Sequence, residues 1–293
     1  MKYGVAVPNF GKFAGKENIK EVGIVAEELG YDSLWVSDHL VVPKGHKGFG
    51  NIFYDPIVTL SYLASLTNKI KLGTSVIVLP YRNPLVVAKE ISTLDVLSGG
   101  RVIMGIGVGW LKAEFNALGV KYEERGQLTD EYLKVIKELY TSESPEFRGE
   151  HFNFSDIYFY PKPLQKPYPP VWIGGSSTNS IKRAVNYGIG WHAVGSIPNE
   201  IKEKSDVLNS FLTEKNKCKN DFVVSVRKNL QIINREISDE RELLRGNIEK
   251  IVDGIDAYKK AGVSYIVFQI LSSDFKGVIE TMKNFSEKVI KGV

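Results

Sequence analysis

The chain has 293 residues, 43% hydrophobic and 25% charged, a soluble globular balance with enough length for a large core. Its 38 basic and 34 acidic residues are interspersed and leave a net charge of +4, which argues against a nucleic-acid groove, where Lys and Arg gather on one face. No apolar run is long enough to span a membrane, MKYGVAVPNF reads as a core strand rather than a signal peptide, and the lone Cys218 can form no intramolecular disulfide, so a reducing cytoplasm is expected.

In chain order, residues 3–10 (YGVAVPNF) predict a first strand. Ile19, Val22, Val25, Ala26 and Leu29 have helical spacing, which predicts a helix over 18–30 that stops at Gly30. SLWVSDH (33–39) is the second strand, and the helix at 55–67 opens with Asp55 as cap and Pro56 in the first turn. Residues 71–80 form the third strand, 84–100 the third helix and 101–109 the fourth strand; helical segments follow at 111–118 and 124–141. Strands resume at 170–175, 190–195, 222–233 and 264–270, with helices at 177–188, 198–216 and 240–261 between them and 275–290 last.

Eight strands alternate with eight principal helices. The strands are Val- and Ile-rich runs, as expected when both faces are buried, so the sheet is parallel. Eight such units imply an α/β fold, a closed (β/α)8 TIM barrel formed by residues 1–293, with an open doubly wound sheet as the alternative. Residues 142–170, rich in proline and aromatics, break the rhythm and read as an insertion after the fourth unit, with room for a short hairpin. Its aromatic run FNFSDIYFY could cover the site or form an interface. Residues 46–55 form a second long loop, after the second strand.

Barrel active sites lie at the C-terminal ends of the strands. Those ends hold Asn9, Asp38, His39, Ser75, Val76, Gly107, Gly109, Gly174, Gly175, Ser176, His192, Arg227 and Gln269. Asp38 and His39 could position a ligand and donate a proton, since His titrates near neutral pH; equally, they could cap a turn and fill the wall. In GIGVGW (105–110) a dinucleotide fingerprint would need glycine where Trp110 stands, so a Rossmann site is rejected. The glycines still allow a flat ligand against bare backbone, or only a tight turn. WIGGSST (172–178) ends a strand and opens a helix, a setting that binds phosphate as well as one for an ordinary cap. The four histidines have no zinc spacing, and no metal site is expected.

These motifs in this order resemble the bacterial luciferase-like family of flavin- and deazaflavin-dependent oxidoreductases. VSDH ends strand two, KLGTSVIVLPYRNPLVVAKEISTLDVLSGGRVIMGIGVGW runs through strands three and four, and IGGSS begins the fifth helix. The subgroup most resembled uses coenzyme F420, and GVGWLKAEFNALGVKYEERG (107–126) is similar to probable F420-dependent oxidoreductases. The resemblance implies that Asp38 and His39 sit beside the ring, with His39 as catalytic proton donor. It also implies a bulge at Ser75–Val76, through a cis peptide, backing the ring. Gly107, Val108 and Gly109 would line the ring edge, and Gly174, Gly175 and Ser176 would hold the phosphate. Sugar-phosphate and alcohol dehydrogenases of the family carry Glu directly after the glycine turn, where this chain has Trp110, and a Trp four residues after the His, where it has Pro43; its next acid is Glu114. Glucose 6-phosphate is therefore not the expected substrate, and Trp110 is expected to wall an apolar or aromatic pocket.

The expectation is an F420-dependent oxidoreductase moving a hydride to or from a small organic substrate. The alternatives are a monooxygenase using reduced FMN and O2, and a flavin-binding protein without turnover. A homodimer is implied at the level of the family; nucleic acid and membrane are not expected partners.

Overall fold

The computed structural model describes residues 1–46, 48, 50–234 and 237–292. Eight parallel strands close on themselves: β1 (Lys2–Ala6), β2 (Ser33–Val36), β3 (Lys71–Thr74), β4 (Val102–Gly107), β5 (Val171–Gly174), β6 (Gly190–Val194), β7 (Val223–Ile232) and β8 (Tyr265–Ile270). Each pairs with its neighbour in sequence, and β8 returns to β1 with Val5 opposite Phe268. The helices are α1 (Lys16–Leu29), α2 (Pro56–Leu66), α3 (Pro84–Leu97), α4 (Arg125–Thr141), α5 (Thr178–Tyr187), α6 (Pro198–Glu214), α7 (Ile248–Lys260) and α8 (Phe275–Phe285). The TIM barrel read from the alternation is the fold found. Among the described residues no helix is long and apolar enough to cross a membrane.

Alternation along the strands makes two cores. Leu34, Leu72, Met104, Ile173, Val226 and Ile266 point outward under the helices. Trp35, Ile103, Trp172, Tyr265 and Val267 point inward and form a separate cluster. The Trp35 and Trp172 rings stack at 5.1 Å, and Tyr265 meets Trp172 edge-on at 5.1 Å. There is room for these rings because neighbouring strands present glycine: a Cβ at Gly73 would lie 2.6 Å from the Trp35 ring. The plug fills the lower barrel, and the ligand space lies above it.

Several elements differ from the sequence expectation. Strand β1 ends at Ala6 and β2 at Val36, short of the expected 10 and 39, so Asp38 and His39 lie in the connection just beyond β2. The third strand does not run through 71–80. It stops at Thr74, the Ser75–Val76 peptide is cis, and Ile77–Val78 then pairs with β4. Asp38 draws the Val78 N–H to its carboxylate at 2.9 Å, and Pro80, which has no N–H to donate, turns the chain into a 3-10 segment. The seventh helix begins at Ile248, not 240. Arg245–Gly246 instead pairs in parallel beside Gln231–Ile232 at the end of β7, and the Asn247 side chain caps the helix by accepting from Lys250 N–H. The last helix gives way to a π turn over Ser286–Ile290.

The 142–170 segment holds a short antiparallel pair, Phe147–Arg148 with Asn153–Phe154. Phe159 is buried beside Tyr140 of α4, and Gln165 bonds Asp95 of α3 and the Val102 carbonyl at the start of β4. The segment thus lies on the outer wall and N-terminal end of the barrel, so it does not cover the C-terminal mouth.

Candidate active site

The strand ends surround a cavity of about 480 Å3. Its wall includes Asp38, His39, Ser75, Val76, Gly107, Val108, Gly109, Gly174 and Gly175, residues that the sequence placed at strand ends or along the ring edge. Ser176 is one residue beyond, exposed, before α5.

Asp38 is buried and fully engaged. Its two oxygens accept from Arg82 Nη1 and Nη2 at 2.6 and 2.9 Å, and one also accepts the Val78 N–H. Arg82 continues to Asp55, which caps α2 through the N–H groups of Ile57 and Val58. Burial holds the Asp38 carboxyl above its ordinary value against the downward pull of the Arg82 fork and the Val78 N–H. Two charge-assisted bonds in fork geometry are those of an ionised pair. Asp38 thereby pins β2 to the segment after β3 and borders the cavity.

His39 looks the other way. Its Nδ1 lies 2.7 Å from Glu114 Oε2. Glu114 sits on a short helix after β4, Lys112–Ala117, and is fully buried. The same Oε2 accepts Tyr81 Oη–H at 2.9 Å, while Oε1 accepts the N–H groups of Leu40 and Val41 at 2.6 and 3.1 Å. Four donors meet one carboxylate. Burial alone would raise the Glu114 pKa, but the bonds from His39, Val41 and Leu40 outweigh it and hold the group below its ordinary value. An ionised carboxylate can only accept, so His39 donates from Nδ1, and any proton exchanged with the cavity passes through Nε2.

The wall opposite is bare backbone. Val76, just after the cis peptide, packs flush on two glycines: a Cβ at Gly107 would lie 2.4 Å from its Cγ2, and one at Gly174 2.8 Å from its Cγ1. The Gly-rich turn and the Gly-Gly pair therefore let the bulge seat itself. Aromatic rings complete the space. Phe10 and Phe53 stack at 4.9 Å, His39 meets Phe53 edge-on at 5.0 Å, and Trp110, 57% exposed, stands 6.2 Å from His39. Phe53 comes from the 46–55 loop, which does border the site.

At the floor, His192 shares hydrogen bonds with Ser75 Oγ at 2.9 Å and Ser225 Oγ at 2.7 Å. Burial and the nearby Arg227 charge lower its pKa to about 3, so it stays neutral. Arg227 Nη1 bonds Ser37 Oγ and the carbonyl and hydroxyl of Ser75, and Nη2 bonds Gln269. Asn9 is structural: its side chain bonds Ser37 and the Tyr54 carbonyl. At the proposed phosphate turn, Gly175 N–H already donates to the His192 carbonyl, and Ser177 caps α5 by accepting from Ser180 N–H. An anion there would rely on the N–H groups of Ser176 and the first turn of α5.

Glu114, Tyr81 and Arg82 were not singled out as site residues from sequence. A signal was present for Glu114: Leu111, Glu114, Phe115 and Leu118 share one helical face, apolar but for the acid.

A family model described as luciferase-like monooxygenase matches residues 1–264. The chain belongs to the luciferase-like family. An F420-dependent glucose-6-phosphate dehydrogenase of Amycolatopsis mediterranei (strain U-32) is 34% identical over 181 residues, 60% of this chain and 53% of that one. An FMNH(2)-dependent dimethylsulfone monooxygenase of Pseudomonas putida is 28% identical over 205 residues, 69% of this chain and 55% of that one. The luciferase-like chain thus spans about half the length of these curated relatives. Among solved structures, a monooxygenase from Streptomyces bottropensis superposes with a TM-score of 0.86 at 19% identity, covering 99% of both chains. An F420-dependent secondary alcohol dehydrogenase, in complex with an F420-acetone adduct, gives 0.85 at 20%, covering 99% of this chain and 98% of that one. At such identity these two show the shared barrel alone.

Proposed function

We propose that this luciferase-like protein is a coenzyme F420-dependent oxidoreductase that moves a hydride to or from a small organic substrate. The observation that carries the reading is His39, set on the cavity wall with Nδ1 held by a buried carboxylate. Ligand binding alone needs no such arrangement, whereas proton transfer beside a hydride acceptor or donor does. The cavity fits a flat tricyclic ring. Its volume is in the range of cofactor sites, and Val76 and the glycines around it offer backbone where side chains would intrude. When bound, the deazaflavin would give or take the hydride at C5.

The chain's own residues would do the rest. Val76, Gly107, Val108 and Gly109 would support the ring, with Gly174, Gly175 and Ser176 toward the phosphate. Phe10, Phe53 and Trp110 would exclude water and hold an apolar substrate. His39 would exchange a proton at Nε2 while Glu114 offsets the charge of the imidazolium. Asp38 would act by fixing the loop that carries His39.

The 34% identity to a relative named for F420 favours the deazaflavin; the relative named for FMNH(2) keeps reduced-FMN oxygenation as the second reading. Titration of purified protein with F420 and, separately, FMN, followed by fluorescence quenching, tests the choice. Tight F420 binding supports the proposal. Tight FMN binding alone, with O2 uptake on adding reduced FMN, would replace it.

We also propose a homodimer in a reducing cytoplasm. Helix α2 carries no charged residue, Val58 on it is 70% exposed, and Val86 on the neighbouring α3 is 50% exposed. Light scattering on wild type and Val58→Glu tests this: a monomeric wild type would refute it.

A further inference from the structure

Arg82, Arg101 and Arg227 are each mostly shielded from solvent, and they differ in what surrounds them. Arg82 meets the carboxylates of Asp38 and Asp55. Arg101, below the plug, directs its donors to five acceptors: Ser98 O from Nε, Thr67 Oγ1 and Ile70 O from Nη1, Ala64 O and Thr67 O from Nη2. Arg227 has neither solution. Its bonds go to neutral oxygens of Ser37, Ser75 and Gln269. Among the described residues no carboxylate pairs with it, and its Nε–H and one Nη2 hydrogen have no acceptor. Burial lowers its pKa to about 10, so the charge persists at neutral pH.

Its place adds a second observation. Arg227 and Phe10 border the candidate active-site cavity and also an adjoining cavity of about 740 Å3 that continues past Asn229, Gln269 and Ser272. Of the described residues lining the two, Asp38 is the one acid, and Arg82 occupies it. A largely shielded cation without a counter-charge is costly, and the open side of its fork is reachable from the cavity, since neither Nε nor Nη2 is among the fully buried polar atoms that lack a partner. An anion entering the cavity would offset that cost. Nε and Nη2 are the pair of nitrogens that chelate a planar carboxylate, and the Phe10–Phe53 stack beside them suits a flat apolar body.

We propose that Arg227 binds the carboxylate of the substrate, which is therefore an organic acid with a flat apolar body. What becomes of that acid rests on the oxidoreductase reading above; its binding does not. Benzoate and benzyl alcohol, the same ring with and without the charge, are the probes. Each is titrated by calorimetry into protein loaded with F420 and into cofactor-free protein. Benzoate is expected to bind at least about ten-fold more tightly than benzyl alcohol, the scale of a hydrogen-bonded charge. Arg227→Gln is expected to remove that difference by weakening benzoate alone, and Arg227→Lys, which keeps charge but loses the fork, to restore part of it. Equal affinity of the two probes for wild type overturns the proposal whether or not the variants fold. So does benzoate that is displaced by F420, which would assign Arg227 to the cofactor, and so does inorganic phosphate that binds more tightly than benzoate. If neither F420 nor FMN binds but cofactor-free protein still prefers benzoate, the proposed function falls and this inference stands.

Discussion

Glu114 lies 2.7 Å from His39 Nδ1, although 75 residues separate them in the chain. The carboxylate also holds the backbone of Leu40 and Val41, so it fixes both the ring and the loop that carries it. Replacing His39 with Ala is expected to lower turnover by about 10²–10⁴-fold, the usual worth of a positioned general acid or base, with cofactor affinity nearly unchanged. An unaltered rate in a steady-state assay would remove His39 from the chemistry.

Glu114→Gln tests the orienting role. An amide turns one acceptor into a donor, so it must face either two N–H groups or the Nδ1–H and Tyr81 Oη–H donors. Turnover is expected to fall at least about ten-fold, and unfolding free energy by about 1–3 kcal/mol at neutral pH. The pKa of Glu114 is lowered in the folded state, so its stabilisation is present above the ordinary carboxylate range and is lost as pH falls through the lowered value. The denaturation midpoints of wild type and variant should therefore converge in acid. A constant gap at all pH values would mean that the effect is steric.

Gly107→Ala and Gly174→Ala probe the shelf. Their Cβ atoms would meet the Val76 methyls at 2.4 and 2.8 Å, so the bulge must shift toward the cavity. Both variants should remain folded by circular dichroism and lose cofactor affinity, at least about ten-fold for a displaced supporting contact. Affinity equal to wild type would show that the ring does not rest there.

His192 makes a pH prediction. Its folded pKa of about 3 lies below the ordinary 6.5, so between these values the unfolded chain binds the extra proton. Stability is intact above 6.5 and drops as pH falls toward 3, at roughly 1.4 kcal/mol per pH unit from this one group. His192→Asn should be less stable at neutral pH, because its bonds to Ser75 and Ser225 change, and should show a shallower acid slope in urea titrations. Identical slopes would contradict a neutral buried imidazole.

Much of the fold was legible because strand–helix alternation is a property of local apolar patterning. The cap at Asp55 is likewise local, as is the strand that delivers Asp38 and His39, although it closes at Val36, just before them. The missed features depend on distant partners. The break after Thr74 follows from an acid on the preceding strand, and the late start of α7 from the pairing of Arg245 with Gln231. Glu114 is not legible as a site residue because its partner, His39, lies 75 residues away in the connection after β2. Arg227 was expected at a strand end but lies midway along β7, and nothing in FVVSVRKN reveals that it lacks a counter-charge.

The acid behind His39 is carried by the helix that follows the Gly-rich turn, not by the turn itself. That arrangement leaves the lip of the mouth to Trp110, which meets the His39 ring edge-on at 6.2 Å. On the proposed reading, the acid that orients the proton-exchanging imidazole and the ring that borders the substrate space lie on separate stretches of one connection, four residues apart.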